Sequence, residues 1–416
     1  MSELRPRSNR SRKISGIARH GRLKKSNAWL AALKLVAASL AVVLVSGASV
    51  AAIAAWQLSD QIKTVIIPGD TEGPPPSIGA FEGGFNIFIV GSDTRAGQGG
   101  IGGSAKNEPA VLNDVNMLLH VSQDQKSAVA ISFPRDLVVP IPRCSYEDGS
   151  GTKGPSTEAL NTALFYGGLP CAVQTIQEFT GLPIQFAGMI SFQGVIEMST
   201  AIGGVPVCVT GPVVDPYSGI DLPAAGTYNL QGFQALAFLR SRHGVGDGSD
   251  LTRISSQQVY LSSLVRTLKS SDTLGDFTKL YGLASAASRN MVLSQGLANV
   301  DTMVSIALAL KDIPLERVTF VQYPGATGGD GIYSGKVRPL TGMGGALIAK
   351  IKADQPFLLE AAGDGRGSEA DPNAPVPDPA ATPDPSAVPI DNTGLEVLEG
   401  IRGQTAADYT CSIAND

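Results

Sequence analysis

Histidine is almost absent from these 416 residues, with three in all, and the four cysteines include no CxxC pair. A Cys/His zinc centre therefore has little to build on. Neither a GxSxG elbow nor an HExxH pair occurs, which removes two common hydrolase signatures. Charged residues make up 17% and aromatics 6%, against 43% hydrophobic, and no short period recurs. That balance excludes collagen, coiled coil and a wholly disordered chain. The length leaves room for two or three units, at least one with a sizeable core.

Charge is scarce and also segregated. Residues 1–27 hold nine Lys or Arg against Glu3, whereas beyond Lys34 there are 22 basic and 36 acidic residues. Between the two regimes lies Leu35 to Ser59, 25 residues with no ionisable side chain, flanked by Trp29 and closed by Trp56. A run of this length spans a bilayer as a helix. The basic flank predicts a cytoplasmic N-terminus and an exported remainder, giving a single-pass cell-membrane protein with an extracytoplasmic domain. A cleaved signal peptide is the runner-up, because small residues abound at Ala48–Ala55, but the run is long for one. Nucleic acid is not expected as a partner, since the acidic remainder repels phosphate backbones.

The spacing predicts residues 1–34 as a basic cytoplasmic start, 35–59 as the membrane helix and 60–84 as a Pro/Gly-rich stalk. A globular domain at 85–359, a Pro-rich linker at 360–391 and a C-terminal tail at 392–416 follow. The tail could fold back and be stapled, or hang loose. Buried strands are expected at Phe85–Val90, Val115–Val121, Ser127–Phe133, Ile184–Ile190, Val205–Val209 and Arg317–Gln322. Helices are expected at Thr157–Tyr166, Ala172–Thr180, Phe192–Ala201, Gly232–Ser241 and Leu251–Leu268. This alternation predicts an α/β fold, a three-layer α-β-α domain with a mixed central sheet, preceded by one transmembrane helix. Cys144, Cys171, Cys208 and Cys411 all lie beyond the apolar run. Two disulfides are expected, and of three pairings Cys144 to Cys171 with Cys208 to Cys411 is preferred.

Acids and arginines gather at element ends. Asp93 and Arg95 follow the first strand, Asp114 precedes the second, and Arg135 with Asp136 follow the third. Arg240 and Arg242 end one helix, and Arg253 with Gln257 begin the next. Guanidinium forks bind phosphate oxygens bidentately and stay charged. Two carboxylates, Asp93 and Asp114, suit a hard cation that bridges substrate phosphates. Taken singly, each has a bland reading as a surface ion pair, turn or cap, and together they point to a phosphate or pyrophosphate. The glycine-rich stretch Gly97–Gly103 reads as a flexible loop, because Lys106 is misplaced for GxxxxGK[ST]. His243 reads as structural or exposed, and Phe192–Ala201 as core rather than the wall of a lipid tunnel.

The stretches FNIFIVGSDTR (85–95), NDVNMLLHV (113–121), ISFPRD (131–136), LNTALFYGG (160–168), IGGVPVCV (202–209) and TFVQYP (319–324) occur in matching order with the long block 219–258. That block carries LRSRHGVGDGSDLTR. Together they resemble the LytR-CpsA-Psr phosphotransferases, over roughly residues 80–325. The cysteine pattern is similar to that of the actinobacterial branch. The resemblance implies transfer of a glycan phosphate from a polyprenyl-pyrophosphate carrier to the muramic acid 6-hydroxyl of peptidoglycan, with the isoprenoid in an apolar pocket. It also implies Mg2+ (or Mn2+) on Asp93 and Asp114, with Asp93 orienting or deprotonating the acceptor hydroxyl. Arg135, Arg240, Arg242, Arg253 and Gln257 match pyrophosphate and headgroup contacts. Two positions depart from the pattern: Leu112 and Ser256 stand where the family has arginine, with Arg95 the preferred substitute for the first. A polyprenyl-pyrophosphate phosphatase or a non-catalytic wall-binding protein are the competing expectations.

Overall fold

The structure is a computed structural model that describes residues 28–70, 76–92, 111–146, 148–375 and 392–415. The chain divides into two compact units, residues 1–56 and 57–416. Helix α1 (Ala28–Asp60) dominates the described part of the first, and its Leu35, Val36, Leu40, Val42 and Val43 are exposed. Among the described residues no helix is long and apolar enough to cross a membrane. About half of the expected span 35–59, Leu44 and Trp56 included, has side chains outside the described residues, so that expectation falls partly outside them.

The second unit is built on strands β1 (Lys63–Val65), β2 (Phe85–Ser92), β3 (Asn113–Val121) and β4 (Ala128–Ser132). Short strands β5 (Val138–Ile141), β6 (Cys144–Ser145), β7 (Thr152–Lys153) and β8 (Ser156–Ala159) follow, β6–β7 nested inside the antiparallel pair β5–β8. Next come α2 (Ala163–Thr180), β9 (Phe186–Ile190), α3 (Phe192–Ala201) and β10 (Val205–Val209). The hairpin β11 (Val213–Asp215) and β12 (Ile220–Leu222) leads to β13 (Gly226–Leu230), α4 (Phe233–Arg240) and α5 (Asp250–Lys269). Then come α6 (Ser271–Leu274), α7 (Phe277–Asn290), β14 (Met291–Ser294), α8 (Val300–Asp312) and β15 (Val318–Gln322). The chain closes with β16 (Gly325–Thr327), β17 (Val337–Pro339), α9 (Thr341–Lys352), β18 (Ser368–Ala370), β19 (Gly403–Thr405) and β20 (Thr410–Ser412).

The main sheet runs β1-β14-β9-β2-β3-β4-β15-β19, and a smaller one runs β13-β10-β20-β18. Parallel pairs (β1–β14, β2–β9, β4–β15) are interspersed with antiparallel ones, so the sheet is mixed. Side chains of successive strand residues point to opposite faces. Phe88, Val90, Leu118 and Ile131 pack toward α2 and α9, while Phe85, Ile87, Met117 and Ala130 pack toward α5 and α8. This two-sided burial produces the three-layer arrangement. Fully burying one such Phe contributes about 1.5–3 kcal/mol.

Residues 157–166 differ from the expected helix. Ser156–Ala159 forms strand β8 because Val138–Ile141 offers it a partner, so α2 begins at Ala163. Inside α2, Gly168 adopts φ +63° and the helix kinks. A Cβ on Gly167 would sit 2.6 Å from the Ser145 carbonyl oxygen. That close approach brings β6 onto the helix, where Cys144 bonds Cys171.

The globular unit also exceeds the expected limits of 85–359. β1 pairs with β14, and β18, β19 and β20 lie within the two sheets. Residues 392–415 are therefore no loose tail: β19 extends the main sheet, β20 lies between β10 and β18, and Cys411 is bonded to Cys208. Of the expected linker, 360–375 belongs to this unit through β18, and 376–391 lies outside the described residues.

Candidate active site

Four chain segments meet at the strand ends on one side of the main sheet, at its central strands. β3 begins there with Asn113 and Asp114, and β4 ends there, delivering Phe133-Pro134-Arg135-Asp136. The α4–α5 connection supplies Arg240 to His243, and the first turns of α5 supply Asp250, Arg253 and Gln257. Ligand groups of α/β sheets gather beyond strand ends in this way. Ser249 caps α5, its hydroxyl accepting from the Thr252 N–H at 3.3 Å. An anion in front of this helix N-terminus is further favoured by the helix dipole.

Arg135 is the hub. Its Nη1 donates to Asp114 Oδ1, its Nε lies 3.7 Å from Asp136 and 3.8 Å from Asp250, and its backbone N–H donates to Asp250 Oδ2 at 3.0 Å. Burial alone disfavours this cation, but the carboxylates, Asp114 first, reverse that and raise its pKa. The buried Arg253 guanidinium contacts Asp250 and donates to the Asp114 carbonyl at 3.0 Å, tying α5 to β3. Arg242 lies 3.9 Å from Asp136. Burial first, then the neighbouring Arg135 and Arg253, lowers the Arg242 pKa. Burial, then repulsion from Asp250, raises that of Asp136. Arg240 rests on the Phe192 ring, 4.5 Å from its centroid, and Gln257 Nε2 donates to the Leu239 carbonyl at 2.8 Å.

Asp114, Arg135, Arg240, Arg242, Arg253 and Gln257 all border one cavity of about 470 Å³. Most of its wall is apolar, with Val195 and Met198 of α3, Leu236 and Leu239 of α4, and Leu261 and Leu264 of α5. Buried Arg135 Nε and Arg253 Nε lack a hydrogen-bond acceptor among the described residues. An N–H in that condition is costly unless a ligand or water supplies oxygen. The arrangement thus presents a cationic mouth over an oily pocket, suited to an anionic head joined to a hydrocarbon tail.

Asp93 and Arg95, and with them the expected metal pair and the substitute for Leu112, lie outside the described residues. Every other expected site residue converges on the cavity mouth. The reading of 192–201 as core is corrected: α3 buries Phe192, Gly194 and Ser199, yet Phe192, Val195, Met198 and Ser199 face the cavity. Ser256, where a family arginine was expected, is turned away from the mouth, its Oγ 2.8 Å from Ser412 Oγ of β20. His243 is largely exposed, with its ring 4.7 Å from that of Tyr217. Asp215, at the end of β11, reaches the same mouth and had no motif to reveal it. Both cysteine pairs are the preferred ones.

The cavity yields a direct prediction. Leu264→Trp should raise the Kd for a lipid-linked pyrophosphate at least tenfold, because the ring fills space the tail needs, while inorganic pyrophosphate binding stays unchanged; calorimetry with both ligands checks it.

The family model described as the LytR_cpsA_psr family matches residues 55–340. Among curated proteins, the chain is 30% identical over 356 residues to the "Cell wall biosynthesis protein LcpA" of Corynebacterium glutamicum, covering 79% of this chain and 65% of that protein. It is 24% identical over 314 residues to the "Polyisoprenyl-teichoic acid--peptidoglycan teichoic acid transferase TagT" of Bacillus subtilis, covering 73% and 89%. The chain spans 65% and 52% of the length of two corynebacterial relatives, LcpA and LcpB. Among solved structures, the "LytR-Csp2A-Psr enzyme from Actinomyces oris" superposes with a TM-score of 0.52 at 22% identity, over 70% of this chain and 96% of that one, and so shares the fold.

Proposed function

The chain belongs to the LytR-CpsA-Psr family, and on that premise we propose that it transfers a glycan phosphate from a polyprenyl-pyrophosphate carrier to the muramic acid 6-hydroxyl of peptidoglycan. The observation that carries this reading is the shared opening of the arginine cluster and the apolar cavity. Relatives named as teichoic acid transferases and cell wall biosynthesis proteins support it.

In this mechanism the tail lies along the α3, α4 and α5 walls. Arg240, Arg242 and Arg253 hold the pyrophosphate oxygens. The acceptor oxygen attacks the phosphorus that carries the glycan, the bridging P–O bond breaks, and polyprenyl phosphate leaves. Arginine forks already oriented at the mouth stabilise the charge that grows on the phosphoryl oxygens, with little reorganisation at the moment of reaction. Asp93 is proposed to orient or deprotonate the hydroxyl. Asp114, whose side chain keeps 20% exposure while one oxygen accepts from Arg135, has the hard-oxygen chemistry of a Mg2+ or Mn2+ ligand, and Asp93 is its proposed companion. Such an ion would supply charge neutralisation at the phosphoryl oxygens.

The membrane assignment belongs to the same proposal. Its support is the exposed apolar surface of α1, the basic start of the chain, and two disulfides, which persist in oxidising compartments outside the cytoplasm. In this proposal the run 35–59 is the single-pass anchor, with a cytoplasmic N-terminus and an extracytoplasmic catalytic unit.

The test is full-length chain in proteoliposomes with labelled lipid-pyrophosphate glycan, Mg2+ and peptidoglycan. The expected result is label on the peptidoglycan, lost in Asp114→Ala. Equal labelling by that variant and the wild type sinks the proposal. Release of phosphate at the same rate without acceptor assigns a phosphatase instead.

A further inference from the structure

Arg240 and Arg242 flank a serine that faces the other way. The chain leaves α4 at Ser241, a single extended residue (φ −63°, ψ 134°) between helical Arg240 and the bend and turn at 242–244. The two arginines border the cavity, and Ser241 is fully buried. Opposite it stands Asp215, 1% exposed. Its Oδ2 accepts from Ser241 Oγ at 3.0 Å and from the backbone N–H groups of Arg242 and His243 at 2.9 and 3.1 Å. Its Oδ1 accepts from the N–H groups of Tyr217 and Ser218 at 3.0 and 3.4 Å.

We infer that Asp215 is a positioning residue for pyrophosphate binding: it fixes the register in which Arg240 and Arg242 enter the mouth. This rests on the reading of that mouth as a pyrophosphate site. Without that anchor the turn that follows α4 can shift, and the placement of Arg240 and Arg242 at the mouth shifts with it. One carboxylate prevents it, because it can accept from several donors at once, whereas an amide in its place offers a single accepting oxygen. Burial alone raises the Asp215 pKa, but the N–H of Arg242 and the other donors more than reverse this and hold it below the usual carboxylate range. The acceptor therefore stays charged. Both its oxygens are engaged by the chain, so Asp215 acts on ligand chiefly through the segment it holds.

The experiment is titration calorimetry of the full-length chain with inorganic pyrophosphate, comparing wild type, Asp215→Asn, Arg242→Ala and the double variant. Asp215→Asn is expected to weaken binding about tenfold, which is 1.4 kcal/mol. The double variant should lose less than the sum of the two single losses, because the Asp215 change acts in part through Arg242. With a lipid donor, the donor KM should rise in parallel while the acceptor KM stays fixed. A merely structural role would lower the folded fraction and leave Kd and KM untouched. Ser241→Ala removes one of the five bonds and should weaken pyrophosphate about threefold, which keeps the test decisive if Asp215→Asn fails to fold. Wild-type affinity in Asp215→Asn, additive losses in the double variant, or no pyrophosphate binding by the wild type each overturn the inference. Binding without glycan transfer sinks the transferase reading and leaves this one standing.

Discussion

Arg135→Ala should lower glycan transfer about 10³-fold or more and also weaken the fold. Removing one preorganised donor to a developing oxyanion costs about 10²–10³-fold, and an arginine at a transferring phosphoryl group reaches 10³–10⁵-fold. The structural part is separate. Arg135 lies against Asp114, Asp136 and Asp250, the last with a side chain only 2% exposed. Deleting the cation leaves three carboxylates facing one another, Asp250 among them buried, and breaking a buried pair from one side costs about 3–5 kcal/mol. Urea unfolding measures that loss and steady-state kinetics the other. Arg135→Lys keeps the charge and loses the planar fork, so most of the stability should return and little of the activity. Stability regained together with activity in the lysine variant would contradict this role.

Cys411→Ser paired with Cys208→Ser should cost about 2–5 kcal/mol of stability. The bond closes a loop of 203 residues, the longest closure in the described chain. Chain-entropy arguments assign the largest effect to such loops. Removing residues 392–416 altogether goes further. It strips β19 from β15 and β20 from β10 and β18, exposing ladder groups along with Ser256 and Gln258 of α5, which now face β20 and Gln404. A domain with about 5–15 kcal/mol of net stability should not survive that. Circular dichroism of the truncated chain checks it, with native-like melting the contrary result.

The sequence exposed the strands with continuous apolar runs, such as Phe85–Val90 and Val205–Val209, because their periodicity is local. It hid Ser156–Ala159, whose strand state depends on a partner some eighteen residues earlier. Arg135, Arg240, Arg242 and Arg253 were legible because charged residues are scarce and stood at element ends. The cavity was not. Val195 and Met198 carry the same apolar signature whether they touch a neighbour or line a space, and only the packing of α3, α4 and α5 distinguishes the two. Asp215 was invisible for a related reason: its partners at 241–243 lie far along the chain. The departure at Ser256 changes meaning for the same cause. In this fold the position meets β20, where a small hydroxyl fits and an arginine would not.

The place of β20 has a consequence for how the domain comes into being. A chain that emerges N-terminus first presents β10 some two hundred residues before the strand that must lie beside it. Until residues 410–412 arrive, β10 has an open edge on that side, and β18 has no partner within its sheet. Contacts this distant in sequence form slowly, since the chain loses entropy before the pairing rewards it. The nascent domain therefore waits, incompletely closed, with a strand edge that chaperones or other chains can engage. Closure waits on β20, and Cys411 bonding to Cys208 then makes it covalent.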